Sequence, residues 1–465
     1  MPRENHCIDH VHIPLPSYAS VALDILEECG YESWIVGGYV RDALLGRPSA
    51  DVDIATRADW REVQQAFEER GYHTHETGTA HGTLTVIVDE YALEVTTFRT
   101  DGHYVDARHP SRVEFVRTIE EDLARRDFTI NALAYHPDRG LLDPFSGQAD
   151  LTAHILRAVG NPTKRFSEDA LRMLRACRFA AQLGFTIEEE TYYGMLKNKG
   201  LLARISTERV AHELSGLLLG AHAGTALVDT VDVLAAVVPE LVAMKGFDQK
   251  TPYHIHDVLV HTAYVVDGVR PEPLVRWAAF FHDMGKPAAF FTDKKGTGHF
   301  YGHAAISVIM ARGIMARLSL SPSFANRVLT LVKYHDDVIE ATPKSVKRAL
   351  VRLGGDTELF RALCDLKRGD ARGQAPHCIG RVQLADELEA MLDQLLADDE
   401  AFSLKKLAID GRAVIELGVK EGPRVGQALE AALEAVIDER VINEANALRA
   451  FITTWNEQTS PSSLS

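Results

Sequence analysis

Apolar positions recur at helical spacing through residues 20–30 and become continuous in "SWIV" (33–36), predicting a helix and then a buried strand closed by Gly37 and Gly38. "YVRDALLG" predicts a helix stopped by Gly46, and "DVDIAT" (51–56) a strand. A helix is expected over "ADWREVQQAFEERG". The alternating stretches "GTLTVIVD" and "ALEVTTF" follow as a hairpin turning at Glu90 and Tyr91. From about residue 151 strand signals cease and helical periodicity runs to the end, with "TSPSSLS" expected to be unstructured. The pattern predicts a small mixed α/β head over 20–150, followed by an all-α neck (151–215), body (216–380) and tail (381–455).

At 465 residues the chain exceeds a single core, and its 46% apolar and 25% charged content is that of a globular protein. The longest apolar run, "LVDTVDVLAAVV", is too short to span a bilayer, and "MPRENHCIDH" lacks the apolar centre of a secretory leader. Five scattered cysteines without a C-x-x-C suit reduced thiols, so a cytoplasmic protein with no membrane partner is expected. A net charge of −16 excludes coating of nucleic acid by bulk electrostatics. Its distribution says more: residues 1–111 hold 8 Lys and Arg against 19 Asp and Glu, whereas 112–213 hold 15 of each, with arginines at 172, 175 and 178. An acidic lobe before an arginine-rich segment suits a site that takes a metal and then a phosphate chain.

Asp51 and Asp53 are the sharpest local signal. Residues i and i+2 of a strand share a face, so the two carboxylates project together and repel unless a cation lies between them. They stand in an ordered series: "GG" with Arg41, "DVD", "EVTTFR" (94–99), "RRDFTINA" (125–132) and "EDALRMLRACRF" (168–179). This series resembles the class II family of tRNA nucleotidyltransferases and bacterial poly(A) polymerases over residues 30–215, and more loosely over the last 70.

Phosphoryl transfer asks a protein for positioning and charge neutralisation. Asp51 and Asp53 are expected to hold two Mg²⁺ ions, with Glu94 as a third catalytic carboxylate. Backbone N–H groups after Gly37 and Gly38 can approach a triphosphate, and Arg41 adds a fork of donors. The resemblance implies that Arg126 and Asp127 handle the nucleotide, Asp127 at the ribose. Asp169 and Arg172, read as i and i+3 on one helix, pair an acceptor with a donor. Cytosine and adenine offer the complementary amino donor and ring-nitrogen acceptor; uracil and guanine do not. One pair could therefore select CTP and ATP, with Arg175 and Arg178 steadying base or phosphates.

These readings imply addition of C, C and A to a tRNA 3′ end. The nearest alternative is a polynucleotide adenylyltransferase or an enzyme adding only the final A. "RTDGHYVDARHPSRVEF" resembles the loop that switches from C to A, with His109 where an arginine is more usual, and the C-terminal segment resembles a tail that holds the tRNA elbow.

A second constellation lies in the helical half. His261, His282, Asp283 and Asp370 resemble the H…HD…D signature of HD metal-dependent phosphohydrolases, a donor set suited to Mn²⁺, Ni²⁺, Mg²⁺ or Zn²⁺. Lys286 could hold a phosphate, and His303 and His335 could complete a second metal position. Such a site would cleave a phosphomonoester or a 2′,3′-cyclic phosphate, plausibly at damaged tRNA ends, and could be the chain's main activity.

Overall fold

The computed structural model describes residues 7–8, 11–49, 51–101, 113–398 and 403–459; His109 and residues 460–465 lie outside them. The chain forms two compact units, 1–239 and 240–465.

Ten of the strands described in the first unit precede residue 150: β1 (Cys7–Ile8), β2 (Ser33–Val36), β3 (Asp53–Thr56), β4 (His73–Gly78), β5 (Thr83–Val88), β6 (Tyr91–Thr97), β7 (Arg99–Asp101), β8 (Val113–Phe115), β9 (Ala134–His136) and β10 (Gly140–Leu142). Eight make one mixed sheet in the order β1-β10-β9-β2-β3-β6-β5-β4, in which β3 and β6 run parallel. β7 and β8 pair separately. Trp34, Val36, Ala55 and Phe98 pack with Ile119 and Leu123 into one apolar cluster, which fixes the register of β2 and β3.

The first predicted helix runs Ser17–Glu28, and the next two run Gly38–Leu44 and Trp60–Glu68. The last is started by a capping box: Asp59 accepts from the Glu62 N–H, and the Glu62 side chain accepts from that of Asp59. The hairpin turns one residue earlier than the pattern suggested. Val88 pairs with Tyr91, and Asp89 and Glu90 both take positive φ, as a tight two-residue connection requires. β4 was not legible because "HTHETG" is an edge strand with no buried face.

Helices follow from Pro162 onward, but strand pairing does not end at 151. Ile155–Leu156 pairs with Thr186–Ile187, and Phe291–Thr292 with Gly298–His299. Two-residue strands carry no period to read. The second unit is helical; Val258–Gly268, Pro273–Phe281, Pro322–Tyr334 and Thr357–Gly373 surround its buried polar centre. Among the described residues no helix is long and apolar enough to cross a membrane.

Candidate active site and metal centre

In the first unit, β3 begins at Asp53, so Asp51 lies before the ladder. The alternation nevertheless extends back to it. Asp51 and Asp53 are exposed while Val52 and Ile54 are buried, which puts both carboxylates on one side. Glu94 of β6 is the direct partner of Asp53 across the parallel pair, also exposed, one strand spacing of about 4.8 Å away. Asp53 is open to solvent on one side, yet protein crowds the rest of it. That crowding, with Glu94 and Asp51 beside it, pushes its carboxyl up to about 6 against the pull of Arg126. A surplus of hard oxygen donors short of positive charge fits divalent cations.

Gly37 adopts φ 74° and ψ −129°, a conformation open to glycine, and starts the helix Gly38–Leu44. A Cβ there would stand 2.8 Å from Arg126 Nη1. Arg126 thus lies between the turn and Asp53, anchored by Asp122 at 3.3 Å. Arg41 lies along this helix, forked onto Asp42 by two bonds of 2.9 Å and donating to Asn131 Oδ1 at 2.7 Å. Asn131 donates to Asp127 Oδ1 at 3.1 Å, and Asp127 Oδ2 receives Arg175 through contacts of 2.8 and 2.7 Å. Burial would raise the Asp127 carboxyl, but Arg175 and the Asn131 amide hold it down at about 2.

The helix expected across 168–179 is two helices, Pro162–Glu168 and Leu171–Leu183, with Asp169 extended between them (φ −136°). Asp169 and Arg172 therefore do not share a continuous helical face. Asp169 Oδ1 accepts from the Leu171 N–H at 3.0 Å, and buried Arg172 reaches Glu168 and the carbonyls of Arg165 and Arg125. Arg178 ion-pairs with Glu213 at 2.6 Å.

Sequence reasoning missed Phe179. The guanidinium carbons of Arg178, Arg41 and Arg175 lie 4.4, 5.2 and 5.5 Å from its ring centroid, so one buried aromatic gathers three of the cations assigned to the nucleotide. Asn131 was missed as well. The only cue to either was its place beside a charged motif.

In the second unit His261, His282, Asp283 and Asp370 bring ligand atoms together, and Asp283, His303 and His335 form a second set sharing the same carboxylate. His282 and His335 cap the C-termini of their helices, where each ring reaches a free carbonyl of the last turn. The Nδ1 atoms of His261, His282, His303 and His335 meet the carbonyls of Gly373, Ala279, Phe300 and Val332 at 2.7–3.0 Å. A carbonyl only accepts, so each Nδ1 bears a proton and each neutral ring turns an Nε2 lone pair inward. Those nitrogens face each other, His261 to His282 at 3.3 Å and His303 to His335 at 3.2 Å.

Asp283 Oδ2 lies 3.1 Å from both His261 and His282, but as a buried atom it makes no aligned hydrogen bond. Opposed lone pairs converging on a buried carboxylate fit a cation. The same negative charge acts on His261: burial disfavours a proton on that ring, yet Asp283 and Asp370 raise it to about 9. Lys286 is turned onto Asp283 Oδ2 at 2.6 Å, with Gln249 Oε1 at 2.9 Å and His254 at 3.2 Å, so it is engaged with a ligand carboxylate rather than free for a phosphate.

Residues 33–157 match the Poly A polymerase head domain, 253–391 the HD domain, and 373–452 tRNA nucleotidyltransferase domain 2. The "CCA-adding enzyme" of Streptococcus thermophilus strain CNRZ 1066 is 34% identical over 95% of this chain and 98% of its own. The chain belongs to the CCA-adding enzyme family. It is a nucleotidyltransferase of that family, dependent on divalent metal. The Lacticaseibacillus paracasei CCA-adding enzyme is 34% identical over 93% of this chain and 94% of its own. The crystal structure of the Bacillus stearothermophilus CCA-adding enzyme in complex with CTP superposes with a TM-score of 0.72 at 30% identity, covering 95% of this chain and 97% of that one. The Thermotoga maritima CCA-adding enzyme complexed with tRNA_CCA, at 21% identity and a TM-score of 0.54, shares the fold.

Proposed function

We propose that the protein adds C, C and A to a tRNA 3′ end from CTP and ATP, in the cytoplasm. Its head would comprise residues 20–150, its neck 151–215, its body 216–380 and its tRNA-holding tail 381–455. The observation that carries this reading is Glu94 in register with Asp53, beside the Gly37 turn and its arginines. Asp51 and Asp53 would hold Mg²⁺, with Glu94 beside them. Held there, the ions would supply activation of the attacking 3′-hydroxyl and charge neutralisation at the departing pyrophosphate. The N–H groups at the start of Gly38–Leu44 and the Arg41 and Arg126 guanidiniums orient the triphosphate. Asp127 is kept ionised by Arg175, ready to accept from a ribose hydroxyl. Asp169 and Arg172, one at a helix junction and one buried, would read the base, with Arg175 and Arg178 fixed behind them.

The test is extension of a tRNA transcript lacking its 3′ end. Two C's from CTP alone and CCA from both nucleotides are expected, with no product from Asp51→Ala or Asp53→Ala. Long A tails from ATP alone, or a single A added only to transcripts ending in CC, would favour the adenylyltransferase reading.

The inward lone pairs support a second activity, hydrolysis of phosphate esters at the HD centre through a bound Mn²⁺, Ni²⁺, Mg²⁺ or Zn²⁺ held by His261, His282, Asp283 and Asp370. Release of phosphate from an RNA end that survives Asp51→Ala and is lost in Asp283→Ala is the expected result.

A further inference from the structure

Neither activity uses the short hairpin formed by Phe291–Thr292 and Gly298–His299, and its outer surface is aromatic. Phe291 is 46% exposed and Tyr301 77% exposed. With His299 they form a triangle of rings: His299 lies 5.3 Å from Phe291 and 5.5 Å from Tyr301, within 27° and 20° of parallel, and Phe291 and Tyr301 lie 5.7 Å apart, tilted by 46°. Asp293 organises the turn. One carboxylate oxygen accepts from the N–H groups of Lys295 and Thr297 at 2.8 and 3.0 Å, and the other meets His299 Nε2 at 3.1 Å, holding that ring.

The hairpin is anchored to the HD centre. The Gly298 N–H donates to the Lys250 carbonyl at 2.7 Å, and a Cβ on Gly298 would lie 2.1 Å from the Gln249 carbonyl oxygen. Only glycine lets the strand pass that close. Gln249 holds Lys286, and Lys286 touches Asp283. Behind the exposed rings Phe290 packs on Phe300 at 5.5 Å, and Lys286 Nζ sits 5.3 Å from the Phe300 ring centroid. Tyr301 is two residues from His303.

We infer that Phe291, His299 and Tyr301 form a stacking shelf for the unpaired 3′-terminal nucleotides of an RNA whose end phosphate enters the Asp283 centre. This rests on the hydrolase reading of that centre. The exposed rings of Phe291 and Tyr301, backed by His299, offer faces on which a base of any sequence can stack, because every base has a π-face. Exposed Lys294 and Lys295 at the tip supply the charge for a phosphate backbone. An apolar protein partner would strand both ammonium groups.

The full-length protein is irradiated with a single-stranded RNA carrying a 3′-terminal 5-iodouridine and an end phosphate, and crosslinked peptides are mapped by mass spectrometry. Crosslinks within residues 290–303 are expected, falling about tenfold in Phe291→Ala/Tyr301→Ala and retained in Tyr301→Trp. Far-UV circular dichroism and melting of each variant check folding. Crosslinks confined to other segments, or unchanged in the double variant, would overturn the shelf. Phosphate release from the same RNA is followed in parallel. A shelf crosslink without release sinks the hydrolase reading alone, and release without the crosslink sinks the shelf alone.

Discussion

Asp169 shows how a sequence spacing can be read on the wrong backbone. The i, i+3 spacing suggested a shared helical face, but the carboxylate sits at a junction and caps Leu171. Its two duties are separable. Asp169→Asn keeps an oxygen for the cap, whereas Asp169→Ala loses both roles. In single-nucleotide incorporation assays, Asp169→Ala is expected to relax the exclusion of UTP and GTP by at least tenfold; undiminished discrimination would sink the template role. Asp127 makes a different prediction. Its carboxyl lies near 2 against an ordinary value of 3.8, and it is buried. A depressed folded-state value stabilises above the unfolded-state value and ceases to do so as pH falls through the folded one. The contribution, about 2 kcal/mol, is present above about pH 4 and disappears toward pH 2. Urea titrations at pH 7, 4 and 3 should find Arg175→Met less stable than wild type at pH 7, with the gap closing at pH 3.

At the scale of elements, the strand–turn–helix from Ser33 to Leu44 was legible because its apolar run and glycine pair are local signals. The sequence could not show that Gly37 also clears Arg126, 89 residues along. Gly37→Ala should cost roughly 1–3 kcal/mol of stability from backbone strain and lower kcat/KM for CTP and ATP by about tenfold or more, measurable by denaturation and steady-state kinetics. The HD residues were legible as an ordered H…HD…D series. Their convergence depends on helix ends: His282 and His335 reach carbonyls left free by their own helices, which no spacing announces. Because Asp283 belongs to both donor sets, elemental analysis after Mn²⁺ loading should find both ions lost in Asp283→Ala and one retained in His303→Ala. Phe179 stayed hidden because an aromatic at helical spacing reads as core, and it is core; that three guanidiniums share its ring is a tertiary fact.

For the molecule as a whole, composition and pattern anticipated an α/β beginning and a helical remainder, and missed the edge strand β4 and the two-residue pairs, which lack a periodic signature. The two units suggest how stability responds to metal. The Asp283 centre lies wholly within 240–465. Calorimetry with and without a chelator should move one unfolding transition by several degrees and leave the transition of the other unit unchanged. A single transition shifting as one would show the units to be thermodynamically inseparable.

The line Arg41–Asn131–Asp127–Arg175 joins the helix after the glycine turn to the helix Leu171–Leu183 through directional polar contacts. Apolar packing tolerates sliding by a fraction of an ångström; a chain of directional bonds does not. The distance between those two helices is thus written into two small polar side chains. Anyone grafting the neck of one relative onto the head of another would have to move Asn131 and Asp127 with it, or inherit a binding site of the wrong length.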